Sequence, residues 1–127
     1  LAVHIIEDDF AVCDALTLFL QELGHYVLAY EDAETFFKAG LPKREDTVIV
    51  DVGLPGVDGR SVINWLQGMA APPRIIAISG KPKVLLEDSI RGLSGIVVLR
   101  KPLSLSELSE HFGHVPLRRS PALEARV

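Results

Sequence analysis

Short runs of Val, Ile and Leu alternate along the chain with longer amphipathic segments. Four runs stand out, AVHII (2–6), TVIV (47–50), RIIAI (74–78) and GIVVL (95–99), with a weaker fifth, YVLAY (26–30). None alternates cleanly between apolar and polar residues, which is the pattern of strands covered on both faces in a parallel sheet. After the first run, Val12, Ala15, Leu16, Phe19, Leu20 and Leu23 recur at three-and-four spacing and predict a helix stopped by Gly24. DAETFFKAG predicts a short second helix, capped by Asp32 and closed by Gly40, and RSVINWLQG a third with Val62, Ile63, Trp65 and Leu66 as its apolar positions. A fourth is expected around KVLLEDSIRGL. Ser104 and Glu107 stand at the S-x-x-E spacing of a capping box and begin a fifth through LSELSEHF. Strand and helix thus alternate five times, which implies an α/β fold: a doubly wound parallel sheet with right-handed crossovers and helices on both faces. From about Gly113 the pattern stops. Residues 1–112 are expected to form one domain, and 113–127 a linker or flexible C-terminal tail.

Composition narrows the function. The 127 residues suit one domain, and 48% apolar with 24% charged residues is ordinary for a globular chain. A net charge of −4 argues against a nucleic-acid-binding surface, which needs a concentrated basic patch. The single cysteine, Cys13, excludes an internal disulfide and fits a reducing compartment, so the cytoplasm is expected. No apolar run approaches the roughly 18 to 20 residues of a membrane span, and LAVHIIEDD lacks the basic start and apolar core of a signal peptide. The start at Leu1 without Met is that expected of a trimmed fragment of a longer chain.

In an open parallel sheet, ligands bind beyond the carboxyl ends of the strands. There the predicted strands present Glu7, Asp8 and Asp9 after the first, Asp51 after the third, Ser79 after the fourth and Lys101 after the fifth. An Asp in isolation at a strand end is most often a turn former or helix cap. The combination points elsewhere, because structural needs alone rarely place all these groups on one edge. If the first and third strands are neighbours, Asp8 and Asp51 converge, and their carboxylates repel unless a cation joins them. An oxygen-only set favours magnesium, which keeps several waters and needs few carboxylates.

With HIIEDD, VIVDVGLPGVDG, AISG and RKP in place, residues 2 to 112 resemble the receiver domain of bacterial two-component response regulators. Asp51, Pro55, Asp58 and Gly59 sit at the spacing of that family's phosphorylation motif. The resemblance implies a flavodoxin/CheY-like (βα)5 fold with strand order 2-1-3-4-5. It implies that Asp51 accepts a phosphoryl group from a histidine kinase or phosphotransfer protein. Asp8, Asp51 and the backbone carbonyl of Gly53 would bind Mg2+, with Glu7 assisting through water. Ser79 would report phosphorylation, Lys101 would neutralise charge, and Pro102 would follow a cis peptide. Gly53 and Gly56 would let the backbone approach the ion and phosphate, and Pro55 would stiffen the exit to the third helix. VHIIEDD and YEDAETFF look most like regulators with a helix-turn-helix output domain. DNA would then be reached only through an output domain outside this chain. Homodimers would form through the face of the fourth helix, fifth strand and fifth helix, and the membrane plays no part. Receivers also phosphorylate themselves weakly from small donors and dephosphorylate themselves.

The sequence departs from that pattern in places. Val98 stands three residues before the Lys, where many receivers carry a switching Tyr or Phe, and a β-branched aliphatic cannot swing a ring. Leu99 and Arg100 alter the partner face, and Pro82 lies close to Ser79, with Lys81 and Lys83 expected to be solvated. These features keep a second reading open, a receiver-fold interaction module that works without phosphorylation. A third, a phosphohydrolase of the haloacid dehalogenase type, would need an Asp two residues after Asp51, where Gly53 stands. Cys13, Trp65, Phe36 and Phe37 are expected to pack, and His4, His25, His111 and His114 are too scattered for a zinc site.

Overall fold

The computed structural model describes residues 2–53 and 58–112. Five parallel strands, β1 (Ala2–Ile6), β2 (Tyr26–Tyr30), β3 (Thr47–Asp51), β4 (Arg74–Ser79) and β5 (Val97–Arg100), form one sheet in the order β2-β1-β3-β4-β5. The helices are α1 (Phe10–Glu22), α2 (Ala33–Lys38), α3 (Gly59–Gln67), α4 (Lys83–Ile90) and α5 (Leu105–Ser109). The expected order and strand neighbours are therefore observed.

Side chains alternate across a strand, and the central strands are apolar on both faces because each face has its own core. Val3, Ile5, Ile49, Ile76 and Ile78 pack with Leu16, Phe19 and Leu20 of α1 and Leu105 and Leu108 of α5. Ile6, Val48, Val50, Ile75 and Ala77 pack on the other side with Phe36 of α2, Val62, Ile63 and Leu66 of α3 and Leu86 of α4. Full burial of one such side chain contributes about 1.5–3 kcal/mol.

Helix starts carry their own signals. Asp9 Oδ1 accepts the N–H groups of Ala11 (3.0 Å) and Val12 (3.3 Å), so Asp9 caps α1. Asp32 and Asp58 cap α2 and α3 through the N–H groups of Thr35 (2.7 Å) and Ser61 (2.8 Å). Ser104 Oγ accepts the Glu107 N–H at 3.3 Å, the first half of the expected capping box. Gly24 ends the first helical segment at φ +90°, a conformation that favours glycine.

Three expectations are corrected. The fifth strand runs Val97–Arg100 rather than 95–99, because Gly95 sits at φ +72° in the turn before it. Trp65 is not a core position of α3: it is 43% exposed and meets the Phe37 ring edge-on at 4.8 Å. The fourth and fifth helices end at Ile90 and Ser109, earlier than the apolar pattern suggested. Pro55, Gly56 and the segment 113–127 lie outside the described residues.

Candidate functional site

Parallel pairing of β1 with β3, and β3 with β4, puts the ends of these strands side by side, so residues far apart in sequence converge there. Glu7 follows β1, and its N–H donates to the Tyr30 carbonyl at 3.0 Å, which extends the β1–β2 ladder by one residue. Its side chain is 1% exposed, whereas Asp8, one residue on, is exposed. Asp51 is the last residue of β3 and is also buried. Ligand oxygens of Glu7, Asp8 and Asp51 all lie within 4.8 Å of one another.

Lys101 closes the pocket from the fifth strand. Its backbone N–H donates to the Ser79 carbonyl at 2.8 Å, continuing the β4–β5 ladder, and the Lys101–Pro102 peptide is cis, as the resemblance implied. Its Nζ donates to Glu7 Oε1 (2.5 Å) and Asp51 Oδ2 (3.1 Å). Asp51 Oδ1 accepts the Gly53 N–H at 2.8 Å. A Cβ at Gly53 would lie 3.4 Å from that same oxygen, so the glycine keeps the approach open. Gly59 is more strictly required, since a Cβ there would lie 2.4 Å from the Val52 Cα. Ser79, 1% exposed, accepts the Lys81 N–H on its Oγ at 3.0 Å.

The charges divide unequally among these groups. Burial, reinforced by the Asp51 carboxylate, pushes Glu7 up to about 8 despite the ammonium of Lys101. Burial also works against the charge on Asp51, but the Glu7 carboxyl, the Gly53 N–H and Lys101 outweigh it and hold Asp51 below the usual carboxylate range. Lys101 is raised because its two acidic partners outweigh its desolvation. Near neutral pH the proton therefore belongs on Glu7, leaving Asp51 a carboxylate beside an ammonium.

The donor set fits a hard divalent cation. Every ligand atom is an oxygen, three carboxylates converge, and Glu7 Oε2 is buried without a hydrogen-bond partner. The exposed Asp8 leaves the cluster open to solvent on one side.

Most of the side chains singled out at the strand ends meet here, whereas Asp9 caps α1 instead. Glu7, Asp8, Asp51 and Lys101 form the cluster, and Ser79 lies on the adjoining strand. Sequence reasoning missed the anchoring of the loop after β4 from β5: the Arg100 guanidinium donates to the Lys81 carbonyl at 3.3 Å. Only the proximity of Arg100 to the Lys-Pro pair hinted at it. Asp58, noted as part of a motif, turns out to be a helix cap.

Comparison with known proteins agrees with this geometry. The sequence model of the response regulator receiver domain matches residues 3–112. The transcriptional regulatory protein FixJ of Azorhizobium caulinodans is 31% identical over 102 residues, covering 80% of this chain and 48% of that protein. The two-component response regulator PhoP of Pseudomonas aeruginosa is 32% identical over 118 residues, covering 91% and 51%. The chain thus spans about half the length of these relatives. Among solved structures, full-length FixJ from B. japonicum superposes with a TM-score of 0.73 at 29% identity, over 86% of this chain and 54% of that one. A receiver protein from Pseudomonas putida gives 0.73 at 25% identity, over 86% and 92%. The chain belongs to the response regulator receiver domain family.

Proposed function

We propose that the domain is a phosphoacceptor switch, in which Asp51 takes a phosphoryl group from the phosphohistidine of a histidine kinase or phosphotransfer protein. The observation that carries this reading is Asp51 itself, a buried carboxylate held ionised with Lys101 Nζ 3.1 Å from Oδ2. An Asp51 oxygen attacks phosphorus, the new O–P bond forms as the P–N bond breaks, and the donor imidazole leaves with that electron pair. Lys101 offsets charge on the phosphoryl oxygens, and Gly53 N–H orients the attacking carboxylate. Asp8, Asp51 and the Gly53 backbone carbonyl would hold Mg2+, with Glu7 acting through water. The ion supplies charge neutralisation between two anionic reactants.

Ser79 Oγ accepts the Lys81 N–H and has its own proton to donate. Donation to a phosphoryl oxygen draws in the loop between β4 and α4 and shifts a two-state equilibrium. The readout is self-association through the α4-β5-α5 face or release of an output domain that would contact DNA. Residues 1–112 act as the receiver and 113–127 as linker or tail, in the cytoplasm. Weak self-phosphorylation from small donors and autodephosphorylation accompany this role.

The test is intact mass after incubation with acetyl phosphate, with and without magnesium, on the native chain and on Asp51→Asn. One magnesium-dependent adduct absent from the variant is expected. No adduct on a folded chain would favour the phosphorylation-independent interaction module. One observation supports that second reading: Val98 is a partly buried aliphatic packed against the α2–α4 core, where a mobile ring would otherwise stand.

A further inference from the structure

The sheet ends on β2, which pairs with β1 alone and leaves its other edge open. The direction of its backbone groups follows from the ladder. Glu7 N–H donates to the Tyr30 carbonyl, so Tyr30 faces β1, and because backbone groups alternate from side to side along a strand, Leu28 and Tyr26 face β1 as well. Val27 and Ala29 therefore turn their N–H and C=O groups outward. Among the described residues, none pairs with either of them on that side.

Proteins usually guard such an edge with charge, proline or a cover, since a row of unpaired donors and acceptors is a template for another strand. The segment YVLAY carries no charge and no proline. Tyr26, Leu28 and Tyr30 share one face and, with Leu41, line a groove of about 440 Å3 beside the edge. Tyr26 and Leu41 are both 66% exposed, whereas Tyr30 is held by the Phe36 ring, edge-on at 5.4 Å.

The segment is nearly a palindrome, and this selects its partner. Two copies related by a two-fold axis at Leu28 run antiparallel, with Val27 opposite Ala29 of the second copy and Tyr26 opposite Tyr30. The Val27 and Ala29 pairs are those whose backbone groups face outward, so each pair exchanges two hydrogen bonds. Leu28 and the tyrosine pairs then fall at the narrow, non-bonded positions, where side chains across the strands lie closest. A slip of one residue would set outward-facing groups against inward-facing ones, so the register is fixed. Charge agrees with this direction. Antiparallel pairing brings the exposed Lys43, at the amino end of the groove, toward the exposed Glu31 after the carboxyl end of the other copy's strand, and neither has an ion pair among the described residues.

We propose that β2 is a self-association edge, through which two copies of this chain join their sheets into one continuous sheet. It lies at the opposite edge of the sheet from β5, so it depends neither on the phosphoacceptor reading nor on the α4-β5-α5 face.

The experiment measures sedimentation of the native chain and of Asp51→Asn from about 10 μM to about 1 mM, the range in which a small interface made mainly by backbone associates. Hydrogen exchange of single backbone amides is followed by NMR in the same samples. Expected is a monomer–dimer equilibrium in both proteins, with exchange at Val27 and Ala29 slowing about tenfold or more as the dimer fills. Leu28 and Tyr30, already bonded to β1, should change little. Ala29→Pro removes one outward N–H, and Leu28→Lys sets two like charges on the axis; each should weaken association at least about tenfold, the scale of one hydrogen bond. Leu28→Lys keeps an apolar stem over the groove and serves as the second variant should Ala29→Pro fail to fold. A chain that stays monomeric throughout would overturn the proposal and leave the edge to a strand of another protein. A dimer in which Val27 and Ala29 exchange as in the monomer, or one that forms equally well in both variants, would overturn it by placing the contact elsewhere.

Discussion

Two buried acids bracket the same strand, Asp46 before β3 and Asp51 at its end, and they are treated in opposite ways. Asp46 is wholly provided for. Its carboxylate takes two backbone N–H groups and the His4 ring, while its own backbone N–H donates to Lys43 and its carbonyl accepts the Arg74 N–H. It ties together the start of β1, the loop before β3 and the start of β4. Asp51 instead shares one ammonium with Glu7, and Glu7 Oε2 has no partner. A satisfied buried acid acts as a structural fastener. An under-satisfied cluster of acids costs stability and is kept ready for a ligand.

The largest effect expected from this contrast is on activity. Asp51→Asn should remove phosphoryl acceptance completely, while urea denaturation shows a fold at least as stable as the native one. The asparagine keeps an acceptor for Gly53 N–H and removes a charge from the crowded acidic pair. A large stability loss in Asp51→Asn would erase the distinction between the two ends of the strand.

The same acid-to-amide change should then give opposite signs of stability at the two ends. Asp46→Asn puts an NH2 in place of one accepting oxygen and leaves the part-buried N–H of Ala2 or of Lys43 short of the charged acceptor it had. It should destabilise by about 2–3 kcal/mol and leave phosphorylation rates per folded molecule nearly unchanged. Glu7→Gln replaces a carboxyl that already holds its proton near neutral pH and should cost little stability, but it should weaken magnesium binding. Paired urea curves and magnesium titrations measure both. Equal losses in the two variants would mean that Glu7 is also a structural fastener.

The alternation of five strands with five helices was legible because two separate cores make the central strands apolar on both faces. The acids at the strand ends were legible because parallel strands all end on one edge. His4 and Asp46 were not, because their pairing spans 42 residues of chain and neither lies in a local pattern. Trp65 fits the helical period of α3, but the period marks only a direction around the helix. Phe37 of α2 meets it at the rim of the core rather than inside. The division of charge that leaves Asp51 ionised and Glu7 protonated depends on contacts made in the fold, since both are buried but Asp51 also takes the Gly53 N–H.

Acid should reveal the Asp46 fastener on its own. Burial opposes the Asp46 charge, but the Lys43 N–H, the His4 ring and the Ala2 N–H outweigh it and hold the carboxyl below its ordinary range. Its folded pKa is therefore below the unfolded value of about 3.9. The stability it contributes is fully present above that value and is lost as pH falls through the folded pKa. Urea midpoints measured below pH 4 should fall less steeply in Asp46→Asn than in the native chain. Identical acid limbs would show that the hydrogen bonds to Asp46 do not depend on its charge.

The smallest expected effect sits beside the acidic cluster. Ser79→Ala removes the acceptor of the Lys81 N–H and costs about 1 kcal/mol, because that N–H is only part-buried and water can replace the hydroxyl. Asp51, Lys101 and the carboxylates are untouched, so a phosphoryl adduct should still form. The loop between β4 and α4 should then fail to respond, because the hydroxyl that would reach a phosphoryl oxygen is gone, while the Arg100 bond to the Lys81 carbonyl still holds that loop from β5. Amide shifts of Lys81 compared with and without phosphorylation read this directly. Their loss in Ser79→Ala, with the adduct retained, would place chemistry in the acidic cluster and its report in Ser79. If the Lys81 shifts survived, the report would have to travel by another route, and Arg100 on β5 is the side chain already bonded to that loop.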